Sequence, residues 1–342
     1  MLQRSGKVSG RMDGGLSMTK IRVGLHGMNG HQIHNRLKNH PDGEIAAVCM
    51  TEAEWKRIPG WENIPRYDTL EEMLAAGGLD LVCLCSPRRA DQERDAILCL
   101  EAGCHVYAEK PAVLSEAGLD RILAAAESCG KEFHEIADTV FFEPYWSMKK
   151  LVQSGKIGQV VQVYAQKSYP MRSGQRPQDE ETDGGLIRWV GIHAMRFVEH
   201  ITGLRVTDIE ARETHLGNAV LNGVPEGGLY TAAVLSMTLE NGGVAAICMN
   251  YLNPTGFPGW GNEHVRIFGT GGMMEITDGG KHSHIYTDRD EGEIDLTASD
   301  CQDFLDLLLA HLRYGEPMPM TAEEELHPLR TVIRAKDKAV TV

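Results

Sequence analysis

From residue 19 onward, apolar and polar positions follow two successive patterns. In the first, short runs that are apolar on both faces alternate with stretches of helical period: "KIRVGLHG", then "HQIHNRLKNH", then "GEIAAVCM". The alternation continues through the helical "TLEEMLAAGG", the wholly apolar "LDLVCLCSP", the helical "ADQERDAILCLEAG", the strand "CHVYAEKP", the helical "SEAGLDRILAAAESCG" and the strand "KEFHEIAD". Strands with no polar face, separated by helices, predict a parallel sheet covered on both sides. After the helical "PYWSMKKLVQSGKIGQ" the strands lengthen and alternate with period two: "VVQVYAQKSY", "RVTDIEARETHL", "TAAVLSMTLENGGVAAICMNYL", "EHVRIFGTGGMMEITDG" and "KHSHIYTD". Joined by Gly-rich turns, they predict a large, mostly antiparallel open sheet. One helix interrupts them, "GGLIRWVGIHAMRFVEHITG", and two close the chain, "ASDCQDFLDLLLAHLRYG" and "TAEEELHPLRTVIRAKDKAV".

The reading is therefore α/β in two parts. A chain of 342 residues is too long for one ordinary core, and the change of pattern divides it into domains at 18–137 and 138–342. Residues 1–17, rich in Gly, Ser and charge, predict a disordered extension. With 34 Lys and Arg against 48 Asp and Glu, the net charge of −14 disfavours nucleic acid and anionic membranes as partners. No apolar run is long enough to span a bilayer and the N-terminus lacks a signal-peptide core, so a cytoplasmic protein is expected. Most of the eight cysteines sit in apolar patterns with no CxxC pair, which predicts buried free thiols rather than disulfides or zinc.

A parallel sheet binds ligands at the C-terminal ends of its strands, and the motifs gather there. The first strand ends in "GLHGMNGHQIH", comparable with G-x-G-x-x-G: Gly27 fits the first position, Asn29 stands at the second and Gln32 at the third. Asn tolerates a left-handed backbone and Gly30 adds freedom, so Gly27, Met28, Asn29 and Gly30 are read as a phosphate-binding turn. A structural turn is the competing reading. The second strand ends in Met50 and Thr51 where an acidic residue usually binds the adenosine ribose. Without that carboxylate a 2′-phosphate is not repelled, and Lys56 or Arg57 is available to pair with it, which leans toward NADP over NAD. A solvated charged face explains the same two residues. In "CSPRR", Ser86, Pro87 and Arg88 are expected to wall the cofactor site. In "AEKP", Pro111 fixes the backbone, with a cis peptide possible, just after Lys110. A partly desolvated lysine there would lose basicity and become a usable proton donor or acceptor.

These segments, with "LEAGCHVYAEKPAV", "KKLVQSGKIGQVVQV", "GGLIRWVGIHAMRFVEHITG" and "VRIFGTGGMMEI", resemble in order and spacing the glucose-fructose oxidoreductase, inositol dehydrogenase and MocA-like (Gfo/Idh/MocA) family over about residues 20–340. The resemblance implies an N-terminal Rossmann domain holding NAD or NADP. It also implies a C-terminal α/β domain whose open sheet supports the substrate site and often a subunit interface, hence a homodimer or homotetramer. Members typically oxidise or reduce a secondary alcohol of a sugar, cyclitol or related polyol. By position, Glu109 and Lys110 match the family's EKP motif, which puts Lys110 near the nicotinamide and the reacting hydroxyl, and His193 matches the histidine of D-x-G-x-H, often part of the acid/base machinery. The aspartate of that motif is Trp189 here, and the later aspartate, three residues past the histidine, is Arg196.

A Trp can only donate from its indole or stack on a ring face. Either His193 still shuttles a proton with Lys110 while Trp189 stacks on a sugar, or the fold has abandoned dehydrogenation. Tyr169, Arg172, Arg188, Trp189, Tyr251 and Trp260 are the expected polyol contacts, with packing or loop anchoring the plainer account of the aromatics. His282 and His284 lack a third ligand, so no metal is expected. Two further functions stay open: a glycoside-cleaving enzyme that uses permanently bound NAD through transient oxidation, and a non-catalytic sensor that binds a nucleotide or sugar.

Overall fold

The apolar runs of the first half assemble edge to edge. In the computed structural model, which describes residues 19–136, 138–171, 177–223, 228–289, 291–296 and 299–342, six strands form a wholly parallel sheet. They are β1 (Ile21–His26), β2 (Gly43–Cys49), β3 (Arg66–Tyr67), β4 (Leu81–Leu84), β5 (His105–Ala108) and β6 (Phe133–Glu135), in the order β3-β2-β1-β4-β5-β6. Leu81, Val82, Cys83 and Leu84 are all without exposed surface, as a strand covered on both faces requires. Strand order reverses between β1 and β4, and the crevice beyond their C-terminal ends is the ligand position of such sheets.

One predicted helix is nearly absent. "HQIHNRLKNH" forms only a single tight turn, Ile33–Asn35. Its apolar stripe is just Ile33 and Leu37, both buried, and Asn39 already takes a left-handed φ of 59° ahead of Pro41. One i,i+4 pair is too little burial to hold a helix against that ending.

The second sheet has nine strands: β7 (Val160–Ser168), β8 (Val206–Thr214), β9 (Ala232–Leu239), β10 (Val244–Asn250), β11 (Asn262–Gly269), β12 (Gly272–Thr277), β13 (His282–Thr287), β14 (Glu291–Glu293) and β15 (Val340–Thr341). Their order is β14-β13-β12-β11-β7-β10-β9-β8-β15, and all neighbours are antiparallel except β7 with β10 and β8 with β15. Helices Gly191–Thr202 and Ala322–Asp337 pack on one face. Val234, Ser236, Thr238, Val244 and Ala246 stand exposed on the other. The expected disordered extension, 1–17, lies outside the described residues, as does Ala137 at the expected boundary.

The end of the chain returns to the parallel sheet. Phe304, wholly buried at the start of helix Phe304–Tyr314, stacks 6.2 Å from Tyr107 of β5 and meets Phe141 edge-on at 5.0 Å. Glu325 of the last helix accepts from the β6 amide of Glu135 at 2.8 Å and meets His134 Nδ1 at 2.8 Å. Phe304→Ala should therefore lower the unfolding free energy by about 3–5 kcal/mol, read from urea unfolding.

Candidate active site

Four strand ends converge on the β1/β4 crevice. Gly27, just past β1, has φ 65°, and a Cβ there would lie 2.2 Å from the Cys85 carbonyl oxygen. Gly30 has φ 120°, and a Cβ there would lie 2.5 Å from Glu109 Cγ. Only glycine permits this approach, so the turn lies flat on the ends of β4 and β5, with Met28 half-buried and Gly30 exposed on its outer side. That surface fits the close approach of a dinucleotide pyrophosphate. Asn29 donates from Nδ2 to Pro87 O at 3.1 Å and to Thr182 O at 2.7 Å, joining the turn to the second half of the chain.

At the tip of β2, Met50 is buried and its carbonyl accepts from Arg66 at 3.1 Å. Thr51 caps helix Glu52–Trp55, donating from its hydroxyl to Glu54 at 2.7 Å, so a carboxylate that the sequence reading overlooked stands at this tip. Lys56 is paired with Glu52. After β4, the Ser86 hydroxyl is buried on Asp95 at 2.7 Å and acts as a support for the wall, while exposed Arg88 pairs with Glu181.

Glu109 and Lys110 follow β5 directly, and both are almost wholly buried. Gln92 Nε2 donates to the carbonyls of Glu109 at 2.7 Å and Ala112 at 3.1 Å, holding the turn around the cis Lys110–Pro111 peptide. Burial alone would raise the Glu109 carboxyl, but His31 at 2.9 Å and the charges of Lys110 and Arg89 hold it down at about 2. Lys110 Nζ sits 3.8 Å from Glu109, 3.3 Å from the Trp189 carbonyl oxygen and 4.3 Å from the centroid of the Trp189 ring. Burial pushes its ammonium down to about 8; Glu109 opposes this, and Arg89 and Arg196 add to it. Trp189, in a wide helical turn at Leu186–Val190, thus meets the lysine through its π face and its carbonyl.

Lys110 opens into a cavity of about 240 Å³ shared with His31, Asp138, Thr139, Lys167, Tyr169, His193 and Glu263, among others. His193 lies on helix Gly191–Thr202 with Nδ1 2.8 Å from the Thr139 hydroxyl. Its Nε2 is buried and has no hydrogen-bond partner among the described residues. Burial, then the nearby charges of Lys110, Lys167 and Arg196, keep this imidazole neutral, well below its ordinary range.

Lys167 and Glu263 were not anticipated from sequence. They face each other across the β7–β11 ladder and form an ion pair. Burial and the Lys110 charge push Lys167 down to about 7, while the Glu263 carboxylate favours the ammonium. A signal for Lys167 was present: it shares the inward parity of Val163 and Ala165 on β7, and a charge at such a position needs a reason.

Of the predicted polyol contacts, Tyr169 lines the cavity, its ring 6.4 Å from His193 and 5.8 Å from Trp189. Arg188 turns to Gly184 O, Leu114 O and Glu180 instead. Tyr251 is buried behind Trp189, and half-exposed Trp260 lies 6.0 Å from Tyr169. Arg172 lies outside the described residues. His282 meets Asp278 at 3.5 Å, and among the described residues no group of three or more His, Cys, Asp or Glu is arranged to hold a metal ion.

A family model described as an oxidoreductase family with an NAD-binding Rossmann fold matches residues 21–136, and a GFO/IDH/MocA C-terminal domain model matches 145–275. Trans-1,2-dihydrobenzene-1,2-diol dehydrogenase of Xenopus laevis is 25% identical over 239 residues, 69% of this chain and 67% of that protein. The dTDP-3,4-didehydro-2,6-dideoxy-alpha-D-glucose 3-reductase of Streptomyces violaceoruber is 31% identical over 232 residues, 64% of this chain and 67% of that protein. The aldose-aldose oxidoreductase of Caulobacter crescentus superposes with a TM-score of 0.79 at 18% identity, covering 94% of this chain and 97% of that one, a likeness that shows the fold. Among the described residues no helix is long and apolar enough to cross a membrane.

The buried Lys110 ammonium has a consequence for stability. A lysine whose folded-state value is about 8 against about 10.4 unfolded burdens the folded state at neutral pH, and the burden fades as pH rises from about 8 to about 10.4. Lys110→Met is expected to raise the unfolding free energy at pH 7 by about 1–3 kcal/mol, with the gain shrinking through that window in thermal melts.

Proposed function

Because the chain belongs to the Gfo/Idh/MocA family of oxidoreductases, we propose that it moves a hydride between NAD or NADP and a secondary alcohol, or its ketone, on a sugar, cyclitol or related polyol. The observation that carries this reading is the convergence of the Lys110 ammonium and the unpartnered His193 Nε2 on one small cavity beside the dinucleotide turn. Gly27 to Gly30, Met50, Thr51, Pro87 and Glu109 would hold the dinucleotide, whose nicotinamide supplies the hydride acceptor or donor. Lys110 handles the proton. In oxidation its free amine takes the hydroxyl proton as hydride leaves the carbinol carbon; in reduction its ammonium returns a proton to the forming alkoxide. His193, anchored at Nδ1 by Thr139, bonds the same hydroxyl through Nε2.

The charges around the cavity support a neutral, hydroxylated substrate. Lys167 is matched by Glu263, Asp138 by Arg36, and Lys110 by Glu109. A carboxylate or phosphate on the substrate would have to displace one of these partners, whereas hydroxyls can donate to and accept from them. The diol named for the Xenopus relative is a neutral hydroxylated compound of this kind, whereas the deoxysugar named for the Streptomyces relative carries a charged dTDP group. The tip of β2 leaves both dinucleotides open, since Glu54 favours a ribose hydroxyl and Arg57 a phosphate.

Fluorescence titration with NADH and NADPH, followed by a panel of myo-inositol, D-glucose, D-xylose and trans-cyclohexane-1,2-diol, tests the reading. Binding of either nucleotide and turnover of a panel member are expected. Absence of both, with no nucleotide carried through purification, would replace the enzyme with a sugar-binding protein. Lys110→Met should slow turnover by about 10²–10⁴-fold. The oxidation rate should rise with pH through about 8 as the amine is freed, and the reduction rate should fall over the same range.

The exposed face of the nine-stranded sheet, which carries Val234 of β9 and Val244 of β10, is our proposed subunit contact. Light scattering should return a dimer or tetramer, and a monomer at micromolar concentration would remove that contact.

A further inference from the structure

Glu135 and Arg196 have no exposed surface, and they pair across the seam between the two halves of the chain. Glu135 is the last residue of β6. Arg196 lies three residues beyond His193, on the same helix. The carboxylate divides its oxygens: one accepts from the backbone amide of Ala112 at 2.8 Å, two residues past Lys110, and the other takes the Arg196 guanidinium. A second guanidinium nitrogen donates to Ile136 O at 2.8 Å. The turn that carries Lys110 is thereby tied to the helix that carries His193.

Removing two charges from water costs about what their attraction returns, so a buried pair is often no more stabilising than well-packed apolar side chains. Stability alone is a weak reason for such a pair, and its location supplies a stronger one. Among the described residues, each ion pair of the cavity lining has a partly accessible member except Lys110–Glu109, whereas Glu135 and Arg196, next in sequence to the lining residues Ile136 and Phe197, are fully desolvated, with hydrogen bonds fixing the direction of the pair at both ends.

We propose that Glu135 and Arg196 form a positioning pair that sets the Lys110 ammonium against the His193 imidazole across the substrate cavity. The proposal rests on the reading of those two groups as the proton-handling pair. Lys110 is faced by Glu109 on its own turn, Arg89 beyond β4, Glu135 on β6 and Arg196 on the His193 helix, with His193 and Lys167 also within electrostatic reach. Arg196 and Glu135 pull its basicity in opposite directions. Replacing both with Met deletes two opposed charge effects together with the tie, so a rise in the Lys110 titration then reports that the untied turn has moved its ammonium toward water.

The test compares E135M/R196M, E135Q and K110M with the wild type, using full-length protein and the panel member that the wild type turns over fastest. The double variant is expected to keep the wild-type melting temperature within a few degrees, NADH affinity within two-fold and KM within three-fold, while kcat falls at least ten-fold. The ¹³Cε resonance of Lys110, identified by its loss in K110M, should titrate at least half a unit higher than in the wild type. A folded double variant with wild-type kcat and an unmoved Lys110 titration overturns the positioning role. If the double variant does not fold, E135Q decides by the same kcat and titration criteria, since its amide keeps the Ala112 contact open and breaks the charge tie. Wild-type turnover in K110M would instead bring down the proton-handling reading, a result distinct from the failure of the pair alone.

Discussion

The site is organised by one constraint: an ammonium group kept almost wholly out of water at the end of a parallel strand. Lys110 has three neighbours that compensate for lost hydration, and none is a close salt-bridge partner. Glu109 approaches to 3.8 Å, the Trp189 carbonyl to 3.3 Å and the Trp189 ring to 4.3 Å. A carboxylate in direct contact would lock the proton on the lysine; a ring face and a carbonyl stabilise the ammonium more weakly and leave it able to release the proton. Trp189, where the resemblance leads one to expect aspartate, thus takes part in seating this lysine through its carbonyl and its ring.

From that constraint the surrounding polar architecture follows. Glu109 must remain charged in a fully buried place, and His31 at 2.9 Å helps keep it so. The turn from Lys110 to Ala112 leaves β5 with its backbone groups turned inward, and Gln92 and Glu135 satisfy them. The helix bearing His193 is then fastened by Arg196 and Thr139, both through residues at or just beyond the end of β6. Chain segments far apart in sequence meet here because β5 and β6 are neighbours in a parallel sheet.

How far this was legible beforehand depends on whether a residue's role is set locally. The strands of the first sheet could be read because "LVCL" and "VYA" are apolar at every position, which only a doubly covered strand tolerates. Lys110 could be read because Pro111 and the preceding strand fix its place. Over "HQIHNRLKNH" the period predicts a helix that does not form, because period alone ignores how little apolar surface the stretch offers. Glu54 was missed because a capping box, three residues along, carries the carboxylate to the β2 tip. Lys167 depends on a cross-strand partner 96 residues away, and no local pattern announces Glu263. Arg188 shows the converse: its place in a familiar segment suggested a ligand contact, but three partners within the protein claim its guanidinium.

The altered dinucleotide turn belongs to the same logic. At the second position of a glycine fingerprint, Asn29 adds a side chain where backbone approach is usually wanted. That side chain does not fill the crevice; its amide spans it, from Pro87 behind β4 to Thr182 just ahead of the segment bearing Trp189 and His193. Arg88 and Glu181 repeat the crossing beside it. The Gly27–Gly30 turn and the segment after β4 are therefore both tied to helix Glu180–Asp183, and displacement of one must be felt by the other. A glycine at position 29 would free the backbone and lose that link. Asn29 at this position thus couples the two halves of the chain, with Gly27 and Gly30 left to meet the steric demands of the turn.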